Sequence, residues 1–352
     1  MKGVVILYVS ALILNTPRRA AAFCAPASPG PPQDFRQREW IDYTSSHAGN
    51  WRGVWTTYDP AGMRQGEADR MDTNLELSGD RTTIKHVNTL YVGSIDSECS
   101  TCFDSVETRD IPVGEYTKDT FRQRASGAVY LNGPGVTRRG DMTTEVGVRL
   151  GARRVRCIIL HRPALEQVTG PEPPAKLTLE NIVVVRETMA RTTREDEISS
   201  AHALWSQFDP PSILGLWRGK NRVLESGVDG CDAWSEETLP PSHLRKCRCS
   251  GVEDSDSHAS LEFDGGVFLE APKIVHAGEP AWAHLRVGHR GYEGERQIVQ
   301  VKVRFEALSR IVDTPSVAGR AQSVNISPPK LLHFAVANLE PVESAGLGPS
   351  KL

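Results

Sequence analysis

GNWRGVW, residues Gly49–Trp55, returns in part far downstream as GLWRGK, Gly215–Lys220. A chain of 352 residues is long enough for two domains, and a pattern G-x-W-R-G used twice suggests two copies of one folding plan. Each copy follows a stretch of helical character. FRQREWIDYTSSHA (35–48) precedes the first, and REDEISSAHALWSQFDPPSIL (194–214) precedes the second, opening acid-rich and stopping at Pro210-Pro211.

After each copy the sequence turns to β. DRTTIKHVNTLYVG is rich in β-branched and aromatic residues and ends in Gly; GAVYLNGPG reads as a strand running into a turn over Asn132–Gly135. TEVGVRLGARRVRCIILHRP reads as a hairpin about Gly151-Ala152, and KLTLENIVVVRETM closes the first half. In the second half QIVQVKVRFEAL alternates cleanly: Val299, Val301, Val303 and Phe305 face one way, Gln300, Lys302, Arg304 and Glu306 the other. LLHFAVANLE is a further strand, whereas the acidic, Cys-bearing stretch from Gly227 to Gly266 breaks the rhythm. Many short strands in two halves predict an all-β protein of two antiparallel barrels or sandwiches.

A G-x-W at the first strand after a short helix resembles the lipocalin signature of the calycin superfamily. GNWRGVWTTYDPAG more closely resembles the opening of a cyanobacterial and algal family of unknown function with two calycin-like domains, whose members carry HxxNWxGxxxRYDxxG. His47, Asn50, Trp51, Gly53, Tyr58, Asp59 and Gly62 match; Thr57 stands where an Arg is frequent. The resemblance implies two tandem lipocalin-like barrels, each preceded by a short helix. Gly49, Trp51, Arg52 and Gly53 would close the first, and Gly215, Trp217, Arg218 and Gly219 the second, with each Trp a plug packed on an Arg from a late strand. Arg52 and Arg218 are then rim residues. The expected layout is a first barrel over 36–190, a helical linker over 191–212 and a second, less regular barrel over 213–345.

The N-terminus reads as an address. MKGVVILYVSALILNTPRRAAAFCAP has one early cation, an apolar run from Val4 to Leu14 and small residues before Phe23, the pattern of a cleaved signal peptide over 1–22. AAA-FCAPAS resembles the bipartite plastid presequence of red-lineage algae, with 23–35 as the transit-like segment. Plastid location is the expectation, secretion the alternative. No later segment approaches the about 20 apolar residues of a membrane helix. A net charge of −3 gives no general attraction to nucleic acid. Of seven cysteines, Cys99–Cys102 form a C-x-x-C and Cys247–Cys249 a C-x-C, too far apart in plan for one zinc site. Their disulfide state is open.

A search for chemistry returns little. There is no G-x-S-x-G elbow, H-E-x-x-H or P-loop, and neither a metal nor a cofactor is implied. His276, His284 and His289 are the closest histidine set. The marked charge feature is Arg149, Arg153, Arg154 and Arg156. Strand alternation separates Arg153, Val155 and Cys157 from Arg154, Arg156 and Ile158. Inward arginines would suit a carboxylate or phosphate headgroup; outward ones form a solvated face balanced by the chain's 44 acids. The residues favour a carrier of a small apolar ligand such as a pigment, isoprenoid or lipid, with Arg153, Arg154 and Arg156 as candidate ligand contacts. The alternatives are an isomerase- or cyclase-like enzyme and a chromophore lyase or assembly factor.

Overall fold

The computed structural model describes residues 32–66, 69–92, 107–121, 123–136, 141–163, 176–190, 215–226, 232–244, 257–276, 278–290, 295–307 and 329–342. The address segment before residue 32, the Pro-rich 169–175, the helical linker and cysteines 99, 102, 247 and 249 lie outside them. One helix, α1 (Pro32–His47), leads into β1 (Gly49–Tyr58), β2 (Asp69–Leu77), β3 (Thr83–Val92), β4 (Glu107–Thr117), β5 (Arg124–Ser126), β6 (Val129–Val136), β7 (Met142–Leu150), β8 (Arg153–Pro163) and β9 (Lys176–Met189). Then come β10 (Gly215–Ser226), β11 (Asp232–Leu244), β12 (His258–Phe263), β13 (Val267–Pro272), β14 (Ile274–His276), β15 (Pro280–Arg290), β16 (Arg296–Ala307) and β17 (Leu331–Pro341). The described residues are all-β apart from α1, as the strand rhythm predicts.

Two antiparallel sheets result. The first runs β4-β3-β2-β1-β9-β8-β7-β6-β5, and the second β11-β10-β17-β16-β15-β13-β12. Each G-x-W-R-G therefore opens a strand that pairs with the last strand of its own half: β1 with β9, β10 with β17. The two copies share their backbone demands. Gly49 and Gly215 sit at φ 123° and 136°, where a side chain is strained. A Cβ on Gly53 would meet the Arg186 carbonyl, and one on Gly219 the Asn338 carbonyl. In both copies the second glycine lets the closing strand approach.

The first sheet curls. Tyr116 on β4 and Ala125 on β5 come from its opposite ends yet join one buried cluster with Trp51, Leu75, Ile84, Phe121 and Tyr130. The end strands β4 and β5 are not paired with each other, so hydrogen bonding does not close this sheet into a cylinder. With three residues, β5 is too short to zip along the eleven of β4. Helix α1 lies over one end and bonds to its turns. Trp40 Nε1 donates to Arg81 O at 3.0 Å, Ser46 Oγ to Gly127 O at 3.0 Å, and Arg149 Nη1 to Ser46 O at 2.6 Å. That end is shut.

The two sheets do not stand apart. Val146, Val148, Val155, Cys157, Ile182 and Val184, on the outer face of the first sheet, share one core with Val301, Val303, Leu285, Phe334 and Val336 of the second. Tyr58 and Phe263 meet across it at 4.5 Å, His161 Nε2 donates to Pro272 O at 2.9 Å, and β14 pairs with the start of β9. Strands β8 and β9 are covered on both faces, which is why CIIL and IVVV are unbroken apolar runs where alternation would otherwise serve. The exposed-side strand β2 keeps alternation: Met71, Thr73 and Leu75 are buried, Asn74 and Glu76 exposed. One sequence expectation is corrected. Asn132–Gly135 is no turn; β6 runs through it as an irregularity, with Gly133 at φ 102° and a cis Gly133-Pro134 bond.

Gly53→Ala and Gly219→Ala are each expected to cost about 2 kcal/mol or more, because the added methyl meets backbone that cannot yield. Gly79→Ala, where a Cβ meets nothing within 4 Å, should stay within about 0.5 kcal/mol. Urea unfolding of the three variants checks this.

Candidate functional site

The inner face of the curled sheet follows from register. Trp51, Gly53 and Trp55 alternate on β1; opposite them stand Thr73 and Met71 on β2, and Met189, Glu187 and Val185 on β9. Glu187 in turn faces Arg154, and Val185 faces Arg156. Reading along β1 gives three layers. At the shut end Trp51 is fully buried with Trp40, Tyr43, Leu75 and Phe121, its Nε1 donating to His47 O at 2.8 Å. A charged layer follows. Beyond it lies an apolar layer of Met71, Ile158, Val183 and Val185, packed by the half-buried Trp55 and Leu90.

The charged layer is built around one carboxylate. Glu187 is 0% exposed and accepts from Arg154 Nε (2.6 Å), Arg156 Nε (3.1 Å), Arg156 Nη2 (3.1 Å) and Thr73 Oγ1 (2.8 Å). Arg156 also donates through Nη1 to Glu145 Oε1 at 3.2 Å, and Tyr130 OH donates to that same oxygen at 2.6 Å. Burial alone would raise both carboxyls; the guanidiniums beside them override it and hold both below the usual carboxylate range. Two glycines make the room. A Cβ on Gly53 would reach Glu187 Cγ at 2.6 Å, and one on Gly147 would strike the Tyr130 ring.

The Trp-on-Arg arrangement occurs in both halves. Arg154 Cζ lies 4.3 Å from the Trp51 ring and Arg149 Cζ 5.7 Å from it; Arg296 Cζ lies 5.2 Å from the Trp217 ring. Trp217 is 1% exposed, packed with Ile298, Ala337 and Leu339. Arg52 and Arg218 point away, to Asp72 at 3.6 Å and Glu340 at 2.9 Å.

Arg154 and Arg156 thus reach the inner face, while Arg153, half-buried, alternates to the other. The hairpin spacing brings the first two together with Trp51. It does not reveal their partners Glu145, Glu187 and Thr73, although a lone acid at inward parity on each flanking strand is the available signal: a buried guanidinium on an apolar strand needs one. Of the other matched motif residues, His47 is fully buried against Tyr43 and Tyr130, and burial, aided by Arg154, pushes its imidazole well below the usual range. Asp59 Oδ1 accepts from the Ala61 and Met63 amides at 2.9 and 2.8 Å, holding the β1–β2 turn. In the second half His284 Nδ1 bonds to Glu270 Oε2 at 2.8 Å. No group of three metal-ligating side chains occurs among the described residues, and no described helix is long and apolar enough to cross a membrane.

Residues 36–169 match the model of a family described as Domain of unknown function (DUF3598), N-terminal. A solved structure, a protein of unknown function from the DUF3598 family of Nostoc punctiforme, is similar at 12% identity with a TM-score of 0.48, covering 86% of this chain and 99% of that one. No curated protein matches the chain.

Removing the central anion leaves the buried Arg154 guanidinium uncompensated and Arg156 with Glu145 alone. Glu187→Gln is expected to cost about 3 kcal/mol, and adding Arg154→Met should recover part of it, a non-additivity that a double-mutant cycle at pH 7 measures. The sign with pH follows. Carboxyls held low in the folded state contribute stability above their unfolded value near 4.5, lost as pH falls below it. Urea titrations from pH 7 to pH 3 should show a steep acid loss, shallower in Glu187→Gln.

Proposed function

We propose that the protein binds a small apolar molecule on the inner face of the curled sheet, at the end away from α1. The carrying observation is the separate apolar layer of Met71, Ile158, Val183 and Val185, on which Trp55 and Leu90 remain only half covered. The charged layer forms its floor. There the donors of Arg156 already serve Glu187, Glu145 and Thr73, and Arg154 pairs with Glu187, so two guanidiniums and two carboxylates form a charge-neutral base and a ligand needs no acidic headgroup. Both carboxylates are engaged by guanidiniums, which supports binding over acid–base chemistry at this place. A pigment, isoprenoid or lipid fragment suits such a face, since burial of apolar area at about 25 cal/mol per Å² would supply the affinity. The Trp-on-Arg pairs of both halves support kinship with lipocalin-like carriers.

The address sequence supports work in a plastid. A fluorescent fusion of residues 1–40 should reach the plastid of a red-lineage alga, and Phe23→Ala should leave it outside; secretion of the unaltered fusion would refute the address.

Protein purified from its own cells should yield, on organic extraction and mass spectrometry, one apolar compound near one per chain. Leu90→Arg, which sets a charge at the mouth of the apolar layer, should lower that occupancy about tenfold, since placing a charge against apolar ligand surface costs more than 1.4 kcal/mol. Empty protein from those cells would end the reading.

A further inference from the structure

A second concavity lies elsewhere, between α1 and strands β10 and β11. Phe35, Glu39 and Asp42 of the helix face Arg222 on β10 and Trp234 on β11 across a cleft of about 240 Å³. None of Trp55, Met71 and Leu90 takes part in it. Its floor holds an unusual group. Glu39 is 1% exposed; its Oε2 accepts from Arg124 Nη1 at 3.2 Å, while Oε1 is buried with no hydrogen-bond partner. Leaving a buried carboxyl oxygen unpaired is costly, and a group that lines a cleft in that state is poised for a ligand.

The wall is a guanidinium held loosely. Arg222 Cζ lies 5.1 Å from the Trp234 ring; its Nε is 3.5 Å from Glu236 and its Nη1 4.0 Å from Asp42, ion-pair distances longer than hydrogen bonds. Its Nε makes no hydrogen bond. Phe35 supplies an apolar wall, with Arg124 Cζ at 5.7 Å from its ring.

We infer that this cleft binds a small monocarboxylic acid with an aromatic body, its carboxylate on the Arg222 fork and its ring between Phe35 and Trp234, with Glu39 Oε1 as the second polar contact. A planar carboxylate satisfies a guanidinium two bonds at a time, which neither Asp42 nor Glu236 does at its present distance. Charge agrees. Burial pushes the Glu39 carboxyl up to about 7, against the lowering influence of Arg124 and Arg36. The charged groups around it are Arg36, Arg38 and Asp42 of α1, Arg124 of β5, Arg222 of β10 and Glu236 of β11, and when Glu39 is protonated its proton becomes a donor to the incoming anion. Binding then takes up a proton, so affinity falls as pH rises through 7.

The test is isothermal titration calorimetry of the full chain with benzoate, benzyl alcohol and benzylamine at pH 6 and pH 8. Benzoate should bind best, and about tenfold more tightly at pH 6, by linkage to one group titrating near 7. Arg222→Gln, at a side chain 39% exposed, should keep the melting transition and weaken benzoate about tenfold or more. Glu39→Gln should keep benzoate binding and lose its pH dependence. Benzylamine or benzyl alcohol binding as tightly as benzoate, no benzoate binding at millimolar concentration, or an unaffected Arg222→Gln would each overturn the assignment. Extraction of an apolar compound from the inner face bears on neither result.

Discussion

The carboxylate of Glu187 is the constraint that the first half is built around. Its four hydrogen bonds bring β2 and β8 to β9 on the inner face, and Arg156 extends the tie to Glu145 on β7 and so to Tyr130 on β6. An anion buried at this depth is tolerable only where guanidiniums compensate it in good geometry, and that geometry requires empty space on the strands beside it. Gly53 and Gly147 supply the space. The Trp of the repeated motif, capped by Arg154, and the Gly of the same motif, which admits Glu187, are two parts of one device.

The motif recurs with both glycines and the tryptophan because their local backbone and packing demands recur, while the surroundings differ. Gly49 and Gly215 share a backbone conformation, Gly53 and Gly219 share a close approach to the last strand, and Trp51 and Trp217 each carry an arginine on the ring. The second half has no carboxylate at the corresponding place: Leu339 stands opposite Gly219 where Glu187 stands opposite Gly53. Its polar groups gather elsewhere, at His284, Glu270, Arg286 and Gln300.

Much of this was legible in the sequence because it is local. The β7–β8 hairpin about Gly151, the bounds of β9 and the one-sided run from Val299 to Phe305 follow from turn chemistry and period two. What stayed hidden depends on contacts between distant segments. The alternation of β8 places Arg154 and Arg156 on one face but does not say which face is inner, since CIIL is apolar on both. That Val299–Phe305 shares one core with Val155 and Cys157, rather than facing a lumen of its own, depends on how the halves meet. The unpaired ends at β4 and β5 have no sequence signature at all, because only the length of β5 and the path of α1 set them.

Strands β8 and β9 serve as a party wall, with one tenant on either side. Standing alone, the first half would present Val155, Cys157, Ile182 and Val184 to water, so the second sheet covers what would otherwise be a liability. The repeat therefore marks no seam where the molecule can be cut. Either half, expressed by itself, would show solvent a broad greasy flank and seek another copy to cover it.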